Sequence, residues 1–581
     1  MSYEIMFNKA VELQQNGALN EAEQIYRQIL ETAPENVNVI NMLGLIAQEK
    51  GLHAEAVSYF YKAVTYAPQH FPLFFNLGVS LGALGRFVEA AEAYQRVLKL
   101  KPDLVEAYIG LGNVYWQDNK IELAREAYEK SLTVEEDNVV AQTNLAEIKG
   151  DEEALKKLAA KNPQALYYLG RRAIARKDYA AALDFLQKAD TKIESAEVKL
   201  LLGEMLLVSR QTDAALTTFY QAYQLEPHNA HIITHIADIE ADNGNLGEAE
   251  KLYRRAIEVD AQNLSAHANL ANLLCRKKRT VEALEEYRQA VLIAPETPEL
   301  SYNLALILKS LEEYEQALDL MFHAYYLDTN HQDWSLNLAE TLILYHEKEP
   351  QKAIKIVENW YEKMPQNVVV QHLKAVLNGQ NSPVQNQYNE ILFNNFAPTY
   401  EQTLRDIGYA VVDKICELYA PLSGKILDLG CGTGLAADKL KNNQNSFIGI
   451  DLAEEMLQIA KSKGLYEQLI HGNFMDYLRQ NKIDADLILA ADVFCYFAEI
   501  EPIIRLCQGK NLLFSIESNP TIEKYYLQAN GRYQHNPQYV RQELLAAGYD
   551  DVAATEMTLR YENGKPVCGV LFSAKVGNQK R

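Results

Sequence analysis

Residues 425–457 read KILDLGCGTGLAADKLKNNQNSFIGIDLAEEML. The apolar run Lys425–Leu429 reads as a strand, breaks on glycines at 430, 432 and 434, and gives way to a helical stretch, Leu435–Lys441. A second apolar run, Ser446–Ile450, ends on Asp451 and is followed by the helical stretch Ala453–Lys463. The alternation continues downstream. Strands are expected at Gln468–His471, Ala485–Ala491 and Asn511–Ile516, with helices at Asp476–Asn481 and Glu499–Cys507. Strands alternating with helices predict an α/β, Rossmann-like domain, a parallel sheet with helices on both faces.

Three glycines let the turn after the first strand be tight and let a ligand lie against bare backbone. Two details narrow the ligand. Asp428 stands two residues before the first glycine, and Leu435 stands where the pyrophosphate fingerprint needs its third glycine. A carboxylate there repels a pyrophosphate but pairs with a cationic amino-acid ligand, and the methionyl ammonium of S-adenosylmethionine has that character. Asp451, at the end of the second strand, is placed to accept both ribose hydroxyls. The string ILDLGCGTG…IGIDLAEEML resembles the class I S-adenosylmethionine-dependent methyltransferases, over roughly residues 388–576.

The resemblance implies S-adenosylmethionine as cofactor and a set of residues that hold it. Gly430, Cys431, Gly432 and Gly434 would line it, with Asp428 beside them, and Asp451 with Leu452 would hold the ribose. Asn473 stands where the family often has an acid on the adenine amine, and Phe474 would cover the adenine face. Ala490 and Asp492 follow the fourth strand at the methionine contact. Upstream, Phe393-x-x-Phe396-Ala397-x-x-Tyr400 resembles the helical lid that precedes many such domains, with Tyr400 either on the methionine carboxylate or simply packed.

Methyl transfer from a sulfonium needs mainly alignment of acceptor, methyl and sulfur, and a base only where the acceptor must lose a proton. The acceptor pocket is expected from the loop Asp492–Phe497, which contains Tyr496, and from the insertion Tyr525–His535 after the fifth strand. The catalytic candidates are His535 as a base, Arg532 as a clamp for an anionic acceptor, and Tyr496. A tyrosine-rich insertion that is merely a packed lid is the plain alternative. No metal site is expected.

Upstream of this domain, residues 379–387 read GQNSPVQNQ, a linker composition with no charge. Before it the chain repeats. Alanines at 22, 56, 90 and 124 are each followed four residues later by Tyr26, Phe60, Tyr94 or Tyr128, with Pro34, Pro68 and Pro102 in phase. The phase resumes at Ala182, Ala215, Ala249, Ala283 and Ala317, with Phe219, Tyr253 and Tyr287, and a last unit places Ala353 before Pro365. Each unit reads as a helical hairpin that cannot bury its own apolar face, so neighbours stack into an all-α solenoid. These units look like about ten to eleven tetratricopeptide repeats. Ala141–Lys161 is expected to be a degenerate repeat lacking its second helix, and Val368–Leu377 a closing helix. The domains are then 1–378, a linker at 379–387, and 388–581. Repeats followed by GRYQHNPQYVRQELLAAGY (531–549) and LRYENGKPVCGVLF (559–572) resemble bacterial predicted methyltransferases that carry N-terminal tetratricopeptide repeats.

Asn76, Asn144, Asn269, Asn303 and Asn337 each precede the Leu-Gly or Leu-Ala pair of a repeat. An amide both donates and accepts, so a ladder of them on the groove can hold an extended peptide backbone whatever its sequence. The arrangement resembles the asparagine ladder in the solenoid of the O-linked N-acetylglucosamine transferase. A tolerated exposed helix residue is the alternative.

Composition sets the outer bounds. With 56 Lys+Arg against 78 Asp+Glu, the chain carries −22, which argues against a nucleic-acid partner. From Gln385 onward the balance is −5, leaving −17 to the repeats. Six cysteines without a C-x-x-C pair make neither a disulfide framework nor a zinc site, and no run approaches a membrane span, so a cytoplasmic protein is expected. Three readings follow: a methyltransferase whose solenoid recruits a protein partner or substrate, an interaction scaffold with an inactive methyltransferase fold, or a methyltransferase of small molecules. The sequence names no acceptor and no oligomeric state.

Overall fold

A computed structural model describes residues 3–329, 332–562 and 564–577. They divide into two compact units, residues 1–263 and 264–581. Unit one is all helical. Its helices pair as hairpins, such as Phe71–Ala83 with Phe87–Leu100 and Val105–Gln117 with Ile121–Val134. The helices at Leu19–Thr32, His53–Tyr66 and Phe87–Leu100 stop two residues short of Pro34, Pro68 and Pro102, because a proline disfavours helical backbone in the residue before it.

The phased alanines and aromatics form the interior. Ala22, Ala56, Ala90 and Ala124 are fully buried, as are Tyr26, Phe60 and Tyr128, with Tyr94 nearly so. Glycine on the first helix of a hairpin makes room for the aromatic ring of the second. A Cβ on Gly112 would lie 2.5 Å from Cε1 of Tyr128, and one on Gly44 2.5 Å from Cε1 of Phe60. Residues 141–161 are not without a second helix: Val139–Lys149 is followed by a short one, Glu152–Leu158, capped by Asp151. An apolar stripe of one turn, with Leu155 fully buried, suffices to pack it.

Unit two opens with three more helical hairpins and the helix Val368–Leu377. Helices Gln385–Phe396, Tyr400–Asp406 and Val411–Tyr419 lead into the sheet. Its strands are β1 Gly424–Leu429, β2 Asn445–Asp451, β3 Gln468–His471, β4 Leu487–Ala490, β5 Asn511–Ser518, β6 Tyr525–Leu527, β7 Tyr533–His535, β8 Tyr549–Glu562 and β9 Lys565–Val576. The five parallel strands lie in the order β3-β2-β1-β4-β5. Antiparallel β9 continues the sheet beyond β5, with β8 outside it.

The expected strand Ala485–Ala491 is shorter, Leu487–Ala490, because Ala491 and Asp492 already turn toward the site. The insertion after the fifth strand is a hairpin, β6–β7, whose second strand pairs in parallel with the end of β5 (Glu517↔Gln534, Ser518↔His535). Burial is two-sided: Leu427, Leu429, Ile450, Ile488 and Phe514 pack on one face of the sheet, and Ile426, Phe447, Leu489 and Leu513 on the other. Among the described residues no helix is long and apolar enough to cross a membrane.

Candidate active site

The glycine turn after β1 bends under left-handed backbone angles: φ is +63° at Gly430, +53° at Gly432 and +81° at Gly434. A Cβ on Gly430 would come within 2.7 Å of Val493 Cγ2, whereas one on Gly432 would find only Tyr400 Cε1 at 3.8 Å. Gly432 thus presents bare backbone to the cavity above it. Its N–H donates to Asp451 Oδ2 at 2.8 Å, and the N–H of Ala453 donates to Oδ1 at 2.9 Å. The carboxylate keeps acceptor capacity for a ligand beyond these donors. Burial lifts the Asp451 carboxyl above its ordinary value, against the pull of these N–H donors.

A cavity sits over the C-terminal ends of β1, β2 and β4. It is lined by Gly430, Gly432, Asp451, Leu452, Phe474 and Asp492, and roofed by Asn389, Phe393 and Tyr400 from the two preceding helices. The roof is fixed by ring edges: Phe393 meets Tyr400 at 6.2 Å and Tyr496 at 5.6 Å, both nearly perpendicular. Glu401, beside Tyr400, accepts from Thr433 Oγ1 at 2.8 Å and pairs with Lys463, which ties the roof to the glycine turn.

Several expected site residues are elsewhere. Asp428 is buried below the turn, where it accepts from the Tyr466 hydroxyl at 2.7 Å; burial pushes its carboxyl up to about 7. Cys431 packs under Gly449, Gly434 packs against Tyr466, and Ala490 is sealed in the sheet while its neighbour Ala491 lines the cavity. Asn473 spends its side-chain oxygen as a helix cap on Met475 N–H, 2.8 Å away. His535 is fully buried with Nε2 3.0 Å from the Phe497 carbonyl, and burial lowers its pKa to about 4. From there it does not line the cavity.

Arg532 belongs to a buried ionic cluster. Its Nε reaches Glu517 Oε1 at 2.5 Å, Nη2 reaches Asp492 Oδ1 at 2.8 Å, and Nη1 donates to the Tyr496 hydroxyl at 3.0 Å. Asp492, Cys495 and Glu517 bring ligand-type atoms within 4.8 Å of one another, and the Arg532 guanidinium already contacts all three. Arg560 from β8 adds a second cation, with Nη2 2.6 Å from Glu517 Oε1 and Nε 2.7 Å from Glu562 Oε1. Burial opposes ionisation of Asp492, but the Arg532 and Arg560 guanidiniums outweigh it and hold the carboxyl below its ordinary value. Asp492 itself has φ +61°, the sole described non-glycine residue of the sheet domain at positive φ. A second cavity adjoins the first and shares Asn389, Phe393, Tyr400, Tyr496 and Asp492 with it.

Glu517 and Arg560 were not singled out in the sequence. A lone acid inside the apolar strand NLLFSIES was the available signal, since a buried carboxylate demands a cationic partner.

In the repeats, Asn144 is 6% exposed; its Nδ2 donates to Asn113 Oδ1 at 3.0 Å and its Oδ1 accepts from the Tyr168 hydroxyl at 3.2 Å. Asn76 donates to Asn41 Oδ1 at 3.2 Å, and Asn337 to the Asp333 carbonyl at 3.1 Å. Asn303 faces the Tyr287 hydroxyl, and Asn269 is half-buried. Asn144 is thus buried and bonded within the array rather than offered to a partner, while Asn76, Asn269, Asn303 and Asn337 are half-buried.

Residues 426–508 match the methyltransferase domain family, and tetratricopeptide repeat families match 3–36, 37–70, 80–119, 105–138, 206–274 and 240–307. The chain joins tetratricopeptide repeats to a methyltransferase domain. The chain is 37% identical over 73 residues to the Bacillus subtilis protein named "Putative methyltransferase YqeM", a match covering 13% of this chain and 30% of that one. A protein of the same description from Geobacillus sp. (strain WCH70) is 30% identical over 111 residues, covering 18% of this chain and 43% of its own. The chain thus spans less than half the length of these relatives. A crystal structure of a tetratricopeptide repeat protein from Parabacteroides merdae is 21% identical, covers 40% of this chain and 97% of its own, and superposes with a TM-score of 0.37.

Proposed function

We propose that the methyltransferase domain takes S-adenosylmethionine in the cavity over the glycine turn and transfers its methyl group to an acceptor, while the repeats recruit a protein partner. The observation that carries the reading is the pairing of Asp451 with the Gly432 N–H at the cavity floor. It leaves a carboxylate with open lone pairs beside backbone that no side chain covers. The lining suits that molecule. Asp451 would accept ribose hydroxyls, the Phe474 ring would lie against the purine, and ionised Asp492 would face the cationic methionyl end. Bound there, the cofactor supplies an activated methyl group; the chain's residues bind it, exclude water and hold the acceptor in line.

Calorimetric titration of the full chain with S-adenosylmethionine tests this. Asp451→Ala should weaken binding by about 2–3 kcal/mol, the worth of two charge-assisted hydrogen bonds. Unchanged affinity would overturn the assignment.

For the repeats, the half-buried amides of Asn269, Asn303 and Asn337 are the residues we assign to an extended peptide segment. Replacing all three by alanine should reduce partner recovery in a pull-down while leaving the S-adenosylmethionine titration unchanged. Equal recovery would remove them from the interface.

A further inference from the structure

The second cavity has a charged floor and apolar sides. Leu392, Phe393, Phe396, Leu404 and Ile407 form the sides, and Arg532, Arg560, Asp492 and Glu562 face it from below. Glu517 lies behind the two arginines and clamps both through one oxygen. The buried part of this floor is neutral: two guanidiniums against Asp492 and Glu517, with side-chain exposures of 14, 3, 13 and 1% respectively. Glu562 is a fifth, surplus charge, and its side chain is 42% exposed.

Two donors of the floor are weakly used. Among the described residues Arg560 Nη1 meets Asp492 Oδ1 at a long 3.5 Å, and Arg532 Nη1 meets the Tyr496 hydroxyl. Neither the lining phenols Tyr400 and Tyr496 nor Asp492 is a base suited to neutral pH. Burial pushes the Tyr400 and Tyr496 phenols up, and the arginines keep Asp492 ionised and weakly basic. An acceptor held here must therefore arrive already nucleophilic.

We propose that this cavity binds an acceptor with an apolar body and a terminal carboxylate, which sits on Arg560 and Arg532 and displaces Glu562 into solvent. The exchange keeps the charge count of the floor unchanged. It rests on the methyltransferase reading, because the two cavities meet at Asn389, Phe393, Tyr400, Tyr496 and Asp492, where the carboxylate would face the methyl group. A carboxylate oxygen forms the new C–O bond to the methyl carbon with its own lone pair. The S–C bond breaks with its electron pair left on sulfur, the product is a methyl ester, and no proton moves.

Calorimetry on the full chain with octanoate, octanamide and octylamine tests the site. Octanoate should bind at least about ten-fold more tightly than octanamide, and octylamine should not bind. Removing the internal competitor by Glu562→Gln should tighten octanoate by roughly three- to ten-fold, while Arg560→Gln should weaken it by about ten-fold or more. Because Arg560→Gln also removes one of the cations on buried Glu517, the half-exposed position 562 decides. Octanamide or octylamine binding as tightly as octanoate, or an unchanged octanoate affinity in Glu562→Gln, would overturn the proposal. S-adenosylmethionine is titrated separately. If it binds and octanoate does not, this inference alone fails; if it does not bind, the methyltransferase reading fails on its own.

Discussion

The imidazole of His372 lies flat on the phenol ring of Tyr388, with ring centroids 3.7 Å apart and planes 6° from parallel. His372 belongs to the last helix of the repeats, and Tyr388 to the helix that roofs both cavities. The same imidazole closes on the β6–β7 hairpin, where a Cβ on Gly531 would lie 2.7 Å from His372 Nε2. Tyr533 of that hairpin donates to Asn381 at 2.8 Å, and Asn395 on the roof helix pairs with Asp333. His372→Ala should therefore cost about 2–4 kcal/mol, the price of a buried ring, whereas His372→Phe should cost under about 1.5 kcal/mol. Denaturant unfolding followed by tyrosine fluorescence distinguishes the two.

Acid should find the same joint. Burial lowers the His372 pKa to about 3, and its Nδ1 has no hydrogen-bond partner among the described residues; burial likewise lowers His535 to about 4. An unfolded histidine titrates near 6.5, so these groups give stability that is present above that pH and lost as pH falls toward their folded values. His372→Phe should flatten the fall in melting temperature between about pH 6.5 and 4. An equally steep fall in the variant would remove His372 as a cause.

Asp428 works at the opposite end. Its folded pKa of about 7 exceeds the 3.8 of a free carboxyl, so the folded state binds the extra proton. The associated stability is complete below about pH 4 and is lost as pH rises through 7. Asp428→Asn keeps an acceptor for the Tyr466 hydroxyl and cannot ionise. The variant should gain roughly 2–4 kcal/mol relative to wild type at pH 8 and nothing at pH 4, by thermal melts across that range.

Within the glycine turn, two neighbouring substitutions should behave differently. Gly432→Ala meets only backbone strain, about 1 kcal/mol, since its Cβ would make no more than an ordinary 3.8 Å contact with Tyr400. Gly430→Ala adds a clash with Val493 and should cost about 2–3 kcal/mol, with S-adenosylmethionine affinity falling as the turn shifts. Equal losses would mean that Val493 yields freely.

In unit one, the Tyr128 hydroxyl donates to Asn113 Oδ1 at 2.6 Å, and the same oxygen accepts from Asn144. Tyr128→Phe removes one donor and leaves the other, so its cost should be about 0.5–1.5 kcal/mol, without a change in helix content by circular dichroism. A larger loss would show that the four-residue polar chain from Tyr128 to Tyr168 is cooperative.

Much of this architecture was legible because it repeats or alternates. The step of 34 residues carried Ala22 to Ala124 and their aromatic partners into the interior, where shape leaves little choice. The glycine turn and Asp451 were readable because their residue types suit little else at a strand end. Side-chain partners across the fold were not readable. Nothing local to His535 says that carbonyls of 497 and 498 will enclose it, and nothing near Asp428 points to Tyr466, 38 residues on. Strand β8 went unread because Tyr549–Glu562 mixes polar, small and apolar residues without regular alternation, and Arg560 became informative only when β9 set it beside Glu517.

The Gly531–His372 contact has a consequence for inheritance. In a descendant of this chain, position 531 can acquire a side chain only after position 372 has lost its ring, and the reverse order passes through a clash. Homologues that keep both the hairpin and the closing helix should show paired replacements at 372 and 531. A gene fusion that attached this methyltransferase module to foreign repeats would inherit the glycine without the imidazole that fills its place.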